Sequence, residues 1–140
     1  DNLSPLSQLS GLEILYLNRN RVEDIAALSG LKALEILYLS DNLVESLVPL
    51  TDLRTLNTLN LGNNQIREIL SLRELPHLVY VSLQGNQIND IAALVTNQGI
   101  GHSDTVVLTD NPLTDYALSV QIPAIRARRV TVVLDDPISL

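Results

Sequence analysis

The chain has 140 residues and a net charge of −7, and hydrophobic residues make up 46% of it. This length suits one domain with a substantial core but not two. The absence of cysteine excludes a disulfide scaffold, thiolate metal sites and a cysteine nucleophile. An acidic surface repels phosphate backbones, so no nucleic-acid partner is expected. The most apolar stretches, such as VTVVL at 130–134, are far too short for membrane insertion.

The first eleven residues, 1–11, place leucines at positions 3, 6 and 9. Ile25, Leu28 and Leu31 repeat this spacing in the next segment, so the chain is predicted to begin halfway through a repeated unit whose strand is missing. Repeat arrays need capping at their ends. Since no amphipathic N-terminal cap is visible, we expect an open strand edge. The chain is therefore expected to be a fragment of a longer protein, or to have this edge covered by another chain, with self-association as one possibility.

Regular repeats of constant length fill the segment 12–98. The frame is L-x-x-L-x-L-x-x-N-x-[IV], and copies begin at Leu12, Leu34, Leu56 and Leu78. Alternate residues of each L-x-L segment point inward from a short strand, and stacked units bury an apolar column that one unit cannot bury alone. The strands are predicted to form a parallel sheet on a concave face, with loops and short 3₁₀ or helical turns on the convex face.

An asparagine follows each predicted strand. A side-chain amide both donates and accepts hydrogen bonds, so it can satisfy the backbone groups of a turn inside the stack. We therefore predict a structural asparagine ladder. Its members are Asn20, Asn42, Asn64, Asn86 and Asn111.

The segment 99–140 is predicted to be a longer last repeat and a C-terminal cap. The step from Asn86 to Asn111 is longer than the regular step from Asn64 to Asn86, because a glycine-rich turn is inserted. Thr114 or Asp115 can cap a short helix after it.

A proline is expected to divide the helical part of this cap. Pro123 is predicted to break the helix and to open a second turn over 123–128. Val130, Val132 and Leu134 then alternate as a final strand.

The repeat frame resembles that of the leucine-rich repeat family. VEDIAAL at 22–28 and INDIAAL at 88–94 are similar to the bacterial internalin-like class of 22-residue repeats, and the ending NPL…IPA resembles the C-terminal closing module of such proteins. That module usually has glycine where this chain has Arg129, which implies mild strain or a different turn. The resemblance implies a right-handed α/β solenoid with a helical C-terminal cap, in a single domain over 1–140.

Residues between the inward leucines are predicted to face the concave surface. Three of the four tyrosines fall there, and tyrosine is favoured in interfaces because it offers a large area and a polar tip. Exposed tyrosine and isoleucine also suit strands for structural reasons, so a merely structural role is the alternative. The candidate ligand-binding residues are Glu13, Ile14, Tyr16, Asn18, Glu35, Ile36, Tyr38, Asn60, Tyr80 and Ser82.

The sequence contains no legible catalytic constellation. His77 and His102 are the only histidines, neither has a metal-ligand spacing, and no G-x-S-x-G, P-loop or H-E-x-x-H motif occurs. Arg126, Arg128 and Arg129 form a small basic cluster that is expected to pair with acids or to meet a partner. No enzyme activity, metal or cofactor is therefore predicted.

The leading hypothesis is a non-catalytic interaction or adhesion module that binds a protein, or a surface glycan, on its concave face. The resemblance implies an extracellular or cell-surface location in a bacterium. One alternative is a structural component of a filament or oligomer that assembles through the open edge. Another is a cytoplasmic regulatory scaffold, against which the bacterial type of closing module argues.

Overall fold

The centre of the computed structural model is a six-stranded parallel sheet in which each strand pairs with the next along the chain. The structure describes residues 2–136. Each strand has three residues, because the chain turns away from the sheet soon after every L-x-L segment. The predicted solenoid with a parallel sheet is confirmed. The strands are β1 (Ile14–Tyr16), β2 (Ile36–Tyr38), β3 (Thr58–Asn60), β4 (Tyr80–Ser82), β5 (Thr105–Val107) and β6 (Thr131–Val133).

Short helical turns return the chain between the strands, as predicted for the convex side. A one-turn helix, α1 (Ala92–Thr96), takes this place in the fourth repeat. A π-helical turn (Ala117–Gln121) and helix α2 (Ile122–Arg126) lie between β5 and β6 and form the C-terminal cap. The 3₁₀ turns are Ser4–Leu6, Ala26–Leu28, Val48–Leu50 and Leu70–Leu72.

The core is a stack of inward leucines, isoleucines and valines. Leu37 and Leu59 are fully buried and Val81 is 1% exposed, and burying such a side chain contributes roughly 1.5–3 kcal/mol. Leu15, at the same position of the first repeat, is only partly buried. The reason is that β1 pairs on one side only, with β2.

Asparagine amides link successive repeats below the ends of the strands. The Asn42 side chain donates to the carbonyl of Leu17 in the preceding repeat (2.9 Å) and to Leu39 in its own (3.0 Å), and its Oδ1 accepts the N–H of Val22 (3.0 Å). Each of these amides therefore joins two coils. The same pattern recurs at Asn64, Asn86 and Asn111.

The residue before each asparagine of the predicted ladder, Asn20 included, has a left-handed backbone conformation. Five φ angles between 54° and 63° occur at this one position of the repeat, and only one of the five residues is glycine. Aspartate and asparagine tolerate this region better than most residues. The five are Arg19, Asp41, Asn63, Gly85 and Asp110.

The helix of the C-terminal cap differs from the prediction. Thr114 caps it, since its Oγ1 accepts the N–H of Ala117 (3.1 Å), but Pro123 does not break it. Helical geometry continues through Gln121 (φ −71°, ψ −45°) and Ile122 (φ −61°, ψ −48°). The pairing changes from π- to α-helical just before the proline, so Pro123 lies in a first turn, where its missing N–H is tolerated.

Two arginines of the predicted basic cluster form hydrogen bonds to backbone carbonyls of this chain. The guanidinium of Arg128 donates to the carbonyls of Val95 (2.9 Å), Asn97 and Ile100, at the end of α1, where carbonyls lack helical partners. Arg126 donates to a carbonyl of the last strand. Both side chains therefore bind backbone oxygens, and neither of these bonds is to an acid. Arg129 has a φ of 62°, which matches the mild strain expected there rather than a different turn.

Candidate ligand-binding face

The strand register builds two outward columns of side chains across the sheet. Because neighbouring strands are parallel and in register, residues at equal positions of successive repeats lie side by side. One column contains Ile14, Ile36, Thr58, Tyr80, Thr105 and Thr131, and the other contains Tyr16, Tyr38, Asn60, Ser82, Val107 and Val133.

The first two repeats bring two tyrosines into contact. The ring centroids of Tyr16 and Tyr38 are 4.9 Å apart, and the rings meet edge to face at 65°. Tyr16 is 61% exposed and the neighbouring Ile14 is 48% exposed, whereas Tyr38 and Ile36 are half-buried. We call this surface the tyrosine patch. It consists of Glu13, Ile14, Tyr16, Glu35, Ile36 and Tyr38.

The third outward tyrosine lies apart from this pair. Tyr80 belongs to the other column, with Thr58 between it and Ile36. At a strand spacing of about 4.8 Å, its Cα atom is about 10 Å from that of Ile36. Its exposed neighbour is Val79 (48%). Tyr80 is therefore outside the tyrosine patch.

Three polar candidates are engaged within the fold. Asn18 Oδ1 accepts hydrogen bonds from both the N–H and the hydroxyl of Ser40 (2.8 Å each). Asn60 Oδ1 accepts the N–H of Gly62 (3.1 Å). Ser82 is only 3% exposed, because its short side chain stands between the larger side chains of Asn60 and Val107 on the adjacent strands. These three offer less to a ligand than the tyrosines do.

Sequence reasoning did not single out a groove that lies on another side of the molecule. It has a volume of about 880 Å³, and turns of the second and third repeats line it. Val48 and Leu70 are 70% and 67% exposed there. One sequence feature could have indicated this groove. The position after the inward isoleucine or leucine of each repeat holds alanine at 26 and 92 but a larger apolar residue at 48 and 70.

The described residues show no catalytic arrangement around the histidines. Ser103 Oγ lies 2.6 Å from His102 Nδ1 on an exposed turn. The carboxylate of Asp104 accepts the N–H of Gly101 instead (2.7 Å), so it does not orient the imidazole as a third group would. Within residues 2–136, no three histidines or acids are grouped to hold a metal ion, and no helix is long and apolar enough to cross a membrane.

Comparison with known families agrees with the repeat architecture. The family description "Leucine Rich repeats (2 copies)" matches residues 10–54, 32–74 and 54–96. The chain belongs to the leucine-rich repeat family. Members of this family typically bind proteins and are generally non-enzymatic. No curated protein matches the sequence.

Solved structures place this leucine-rich repeat chain beside bacterial proteins. Internalin C2 of Listeria monocytogenes is 28% identical, with a TM-score of 0.82 over 96% of this chain and 56% of its own. The internalin inlF of the same organism is 24% identical, with a TM-score of 0.77 over 97% and 46%. A leucine-rich repeat protein of Leptospira interrogans is 19% identical, with a TM-score of 0.73 over 94% and 38%. The internalin-like class is thereby confirmed, and the chain spans about half of each internalin.

Proposed function

We propose that this chain is a non-catalytic interaction module that holds a protein partner on its concave face, with the tyrosine patch as the main anchor. The observation that carries the proposal is the edge-to-face pair of the exposed Tyr16 and the half-buried Tyr38. Large aromatic side chains dominate the energetics of many protein interfaces.

The tyrosine patch rests on a buried leucine and on backbone pairing between β1 and β2. Leu37, between Ile36 and Tyr38, is fully buried, and the backbone of β1 is hydrogen-bonded to β2 through Leu17 N–H and Tyr38 O (2.7 Å). A surface that is ordered before binding loses little conformational entropy when a partner docks. Tyrosine adds few rotamers to lose.

An extracellular or bacterial cell-surface location is part of this proposal. It is supported by the similarity to two Listeria internalins and by the internalin-like closing module. Adhesion would be the corresponding role. A cytoplasmic scaffold is the alternative, and surface labelling of intact source cells with an antibody to this chain distinguishes the two.

The test compares the binding of two variants, each of which replaces two large side chains by alanine. Tyr16→Ala with Tyr38→Ala removes the anchor, and Val48→Ala with Leu70→Ala removes two highly exposed apolar side chains of the groove. Partners are captured by cross-linking from the native source, and affinity for the recovered protein is then measured. We expect the tyrosine variant to bind about 30-fold more weakly or worse, since one good anchor contributes about 2 kcal/mol.

The groove variant is the control and should bind like the wild type. Both variants are expected to remain folded. Tyr16, Val48 and Leu70 are exposed, and the contact between the two rings adds about 0.5–1.5 kcal/mol beyond the area that they bury. Equal binding by wild type and tyrosine variant would leave the patch with a structural role only.

Self-assembly is the competing function, because β1 has a neighbour on one side only. An open strand edge presents unpaired N–H and C=O groups to another chain. Light scattering over a wide concentration range measures this directly. A molar mass that stays at the monomer value argues for the interaction module, and a mass that grows with concentration argues for assembly.

A further inference from the structure

We infer that the segment bound by the tyrosine patch carries a lysine or arginine side chain flanked by apolar residues, presented by a protein partner. This inference rests on the proposed function and specifies the chemistry of its partner. It is carried by the exposed aromatic and aliphatic surface of the patch together with the distribution of charge over the sheet.

The outward columns of the sheet contain no cationic residue. Lysine and arginine are absent from all twelve column positions, while the patch itself carries two exposed glutamates, Glu13 and Glu35. The cations nearest to the patch in the sequence are Arg19, which follows β1, and Lys32, which precedes β2. The chain's cationic residues are Arg19, Arg21, Lys32, Arg54, Arg67, Arg73, Arg126, Arg128 and Arg129. The columns hold no acid either, so the negative charge of the tyrosine patch comes from its two glutamates, which directly precede β1 and β2.

The two glutamates are neighbours across the strands. The backbone N–H of Glu35 donates to the carbonyl of Glu13 (2.8 Å). Like charges in this relation are unfavourable, and the Glu35 carboxylate instead contacts the amide of Asn57 on the next repeat (3.5 Å). A partner's cation placed beside these carboxylates would relieve the repulsion.

The tyrosine pair offers the same cation a second attraction. An ammonium or guanidinium group near the face of a tyrosine ring is attracted by the ring quadrupole, and more than half of Tyr16 is exposed. Ile14, 48% exposed, gives apolar contact to the residues on either side of the cation. An acidic ligand, such as an anionic polysaccharide, would meet two carboxylates and is disfavoured.

The test selects peptides from a random, phage-displayed linear library with the wild-type chain. Dissociation constants of the recovered peptides are measured for wild type and for three double variants. Glu13→Gln/Glu35→Gln removes the charges of the patch, and Tyr16→Ala/Tyr38→Ala removes the anchor. Glu23→Gln/Glu45→Gln is the matched control, because these exposed glutamates also occupy equal positions of successive repeats but follow the strands and lie outside the tyrosine patch.

We call a peptide tyrosine-dependent when Tyr16→Ala/Tyr38→Ala weakens its binding. These peptides are expected to be enriched in lysine or arginine next to apolar residues. Glu13→Gln/Glu35→Gln should raise the dissociation constants of these peptides about fivefold at low salt. The difference in affinity from the wild type should be smaller at high salt. The control variant should bind like the wild type.

Two results overturn the inference in different ways. Tyrosine-dependent peptides without this enrichment, or with equal affinity for both glutamine variants, would refute the cationic partner and leave the proposed function intact. Recovery of no tyrosine-dependent peptide would refute both.

Discussion

A single asparagine side chain satisfies backbone groups of two repeats at once. Asn64 Nδ2 donates to the carbonyls of Leu39 and Leu61 (3.0 Å each), and its Oδ1 accepts the N–H of Val44 (3.0 Å). Among residues 2–136, no strand precedes that of the repeat that holds Asn20. Asn20 is exposed and donates to the carbonyls of Leu17 and Asn18 of its own repeat.

This contrast gives a matched pair of variants. Asn64→Ala should lower the free energy of unfolding by about 1–3 kcal/mol, because it leaves buried backbone groups without partners. Asn20→Ala should change it by about 0.5 kcal/mol or less, since water can replace the amide. Urea denaturation followed by circular dichroism measures both. Equal effects of the two substitutions would mean that the bonds between repeats add nothing.

Periodicity made the asparagines of the regular repeats predictable, but it gave no sign of other buried polar residues. Asn97 donates to the carbonyls of Leu72 and Leu75 and is 1% exposed. Gln121 accepts the N–H of Ile91 and is 5% exposed. Gln121 lies beyond the regular repeats, where no neighbouring copy reveals its environment. Asn97 takes the slot that Leu31, Leu53 and Leu75 fill in earlier repeats, so the frame predicted a buried apolar residue there and not an amide.

At the scale of elements, the inserted loop before β5 is fitted closely to the preceding repeat. A Cβ atom at Gly99 would overlap the backbone of Pro76, whereas a Cβ at Gly101 would meet nothing within 4 Å. Asn97 fixes the loop from within, since its Oδ1 accepts the N–H groups of Gly99 (2.7 Å) and Ile100 (3.1 Å).

We therefore expect Gly99→Ala to destabilise the chain by about 1–3 kcal/mol, because the backbone of one segment must move to admit a methyl group. Gly101→Ala should stay within about 0.5 kcal/mol of the wild type. Differential scanning calorimetry compares their melting temperatures. If both variants have the wild-type melting temperature, the loop can admit a methyl group at Gly99 and the close fit to Pro76 is not confirmed.

The elements of the cap were predictable in kind but not in detail. Hydrophobic alternation indicated the last strand, and Thr114 marked a helix start. The continuation through Pro123 depends on a π-helical turn, for which no local sequence rule exists. The internal use of Arg128 depends on carbonyls in and after α1, far earlier in the chain, and a charge pattern alone cannot reveal such a pairing.

For the whole molecule, stability should vary along the stack. The N–H of Leu17 bonds to Tyr38 (2.7 Å) much as the N–H of Leu61 bonds to Ser82 (2.9 Å). However, Leu17 is partly buried at the open end and Leu61 is fully buried in the middle. Solenoids open most easily where a repeat has one neighbour.

Native-state hydrogen exchange, resolved by nuclear magnetic resonance, tests this gradient. The amide of Leu17 should exchange at least about tenfold faster than that of Leu61, because end repeats fray at lower free energy than the whole chain unfolds. Equal protection of the two amides would instead indicate that all repeats open together.

The sequence predicted the outward face well because strand alternation assigns every residue to one side of the sheet. The repeat spacing also placed Tyr16 beside Tyr38 and put Tyr80 in the other column. It could not predict the edge-to-face contact of the two rings or the burial of Ser82, which depend on side-chain conformation and size.

The asparagine bonds between repeats also bear on how such a protein can change in length. Asn42 reaches back to Leu17 (2.9 Å), Asn64 to Leu39 (3.0 Å) and Asn86 to Leu61 (3.0 Å), so the same bond recurs from one repeat to the next. If one whole repeat were duplicated, its asparagine could therefore donate to the same carbonyl of the preceding repeat, and the following repeat could donate to it in the same way. Gene duplication could lengthen the recognition surface by whole coils while both ends of the domain stayed unchanged.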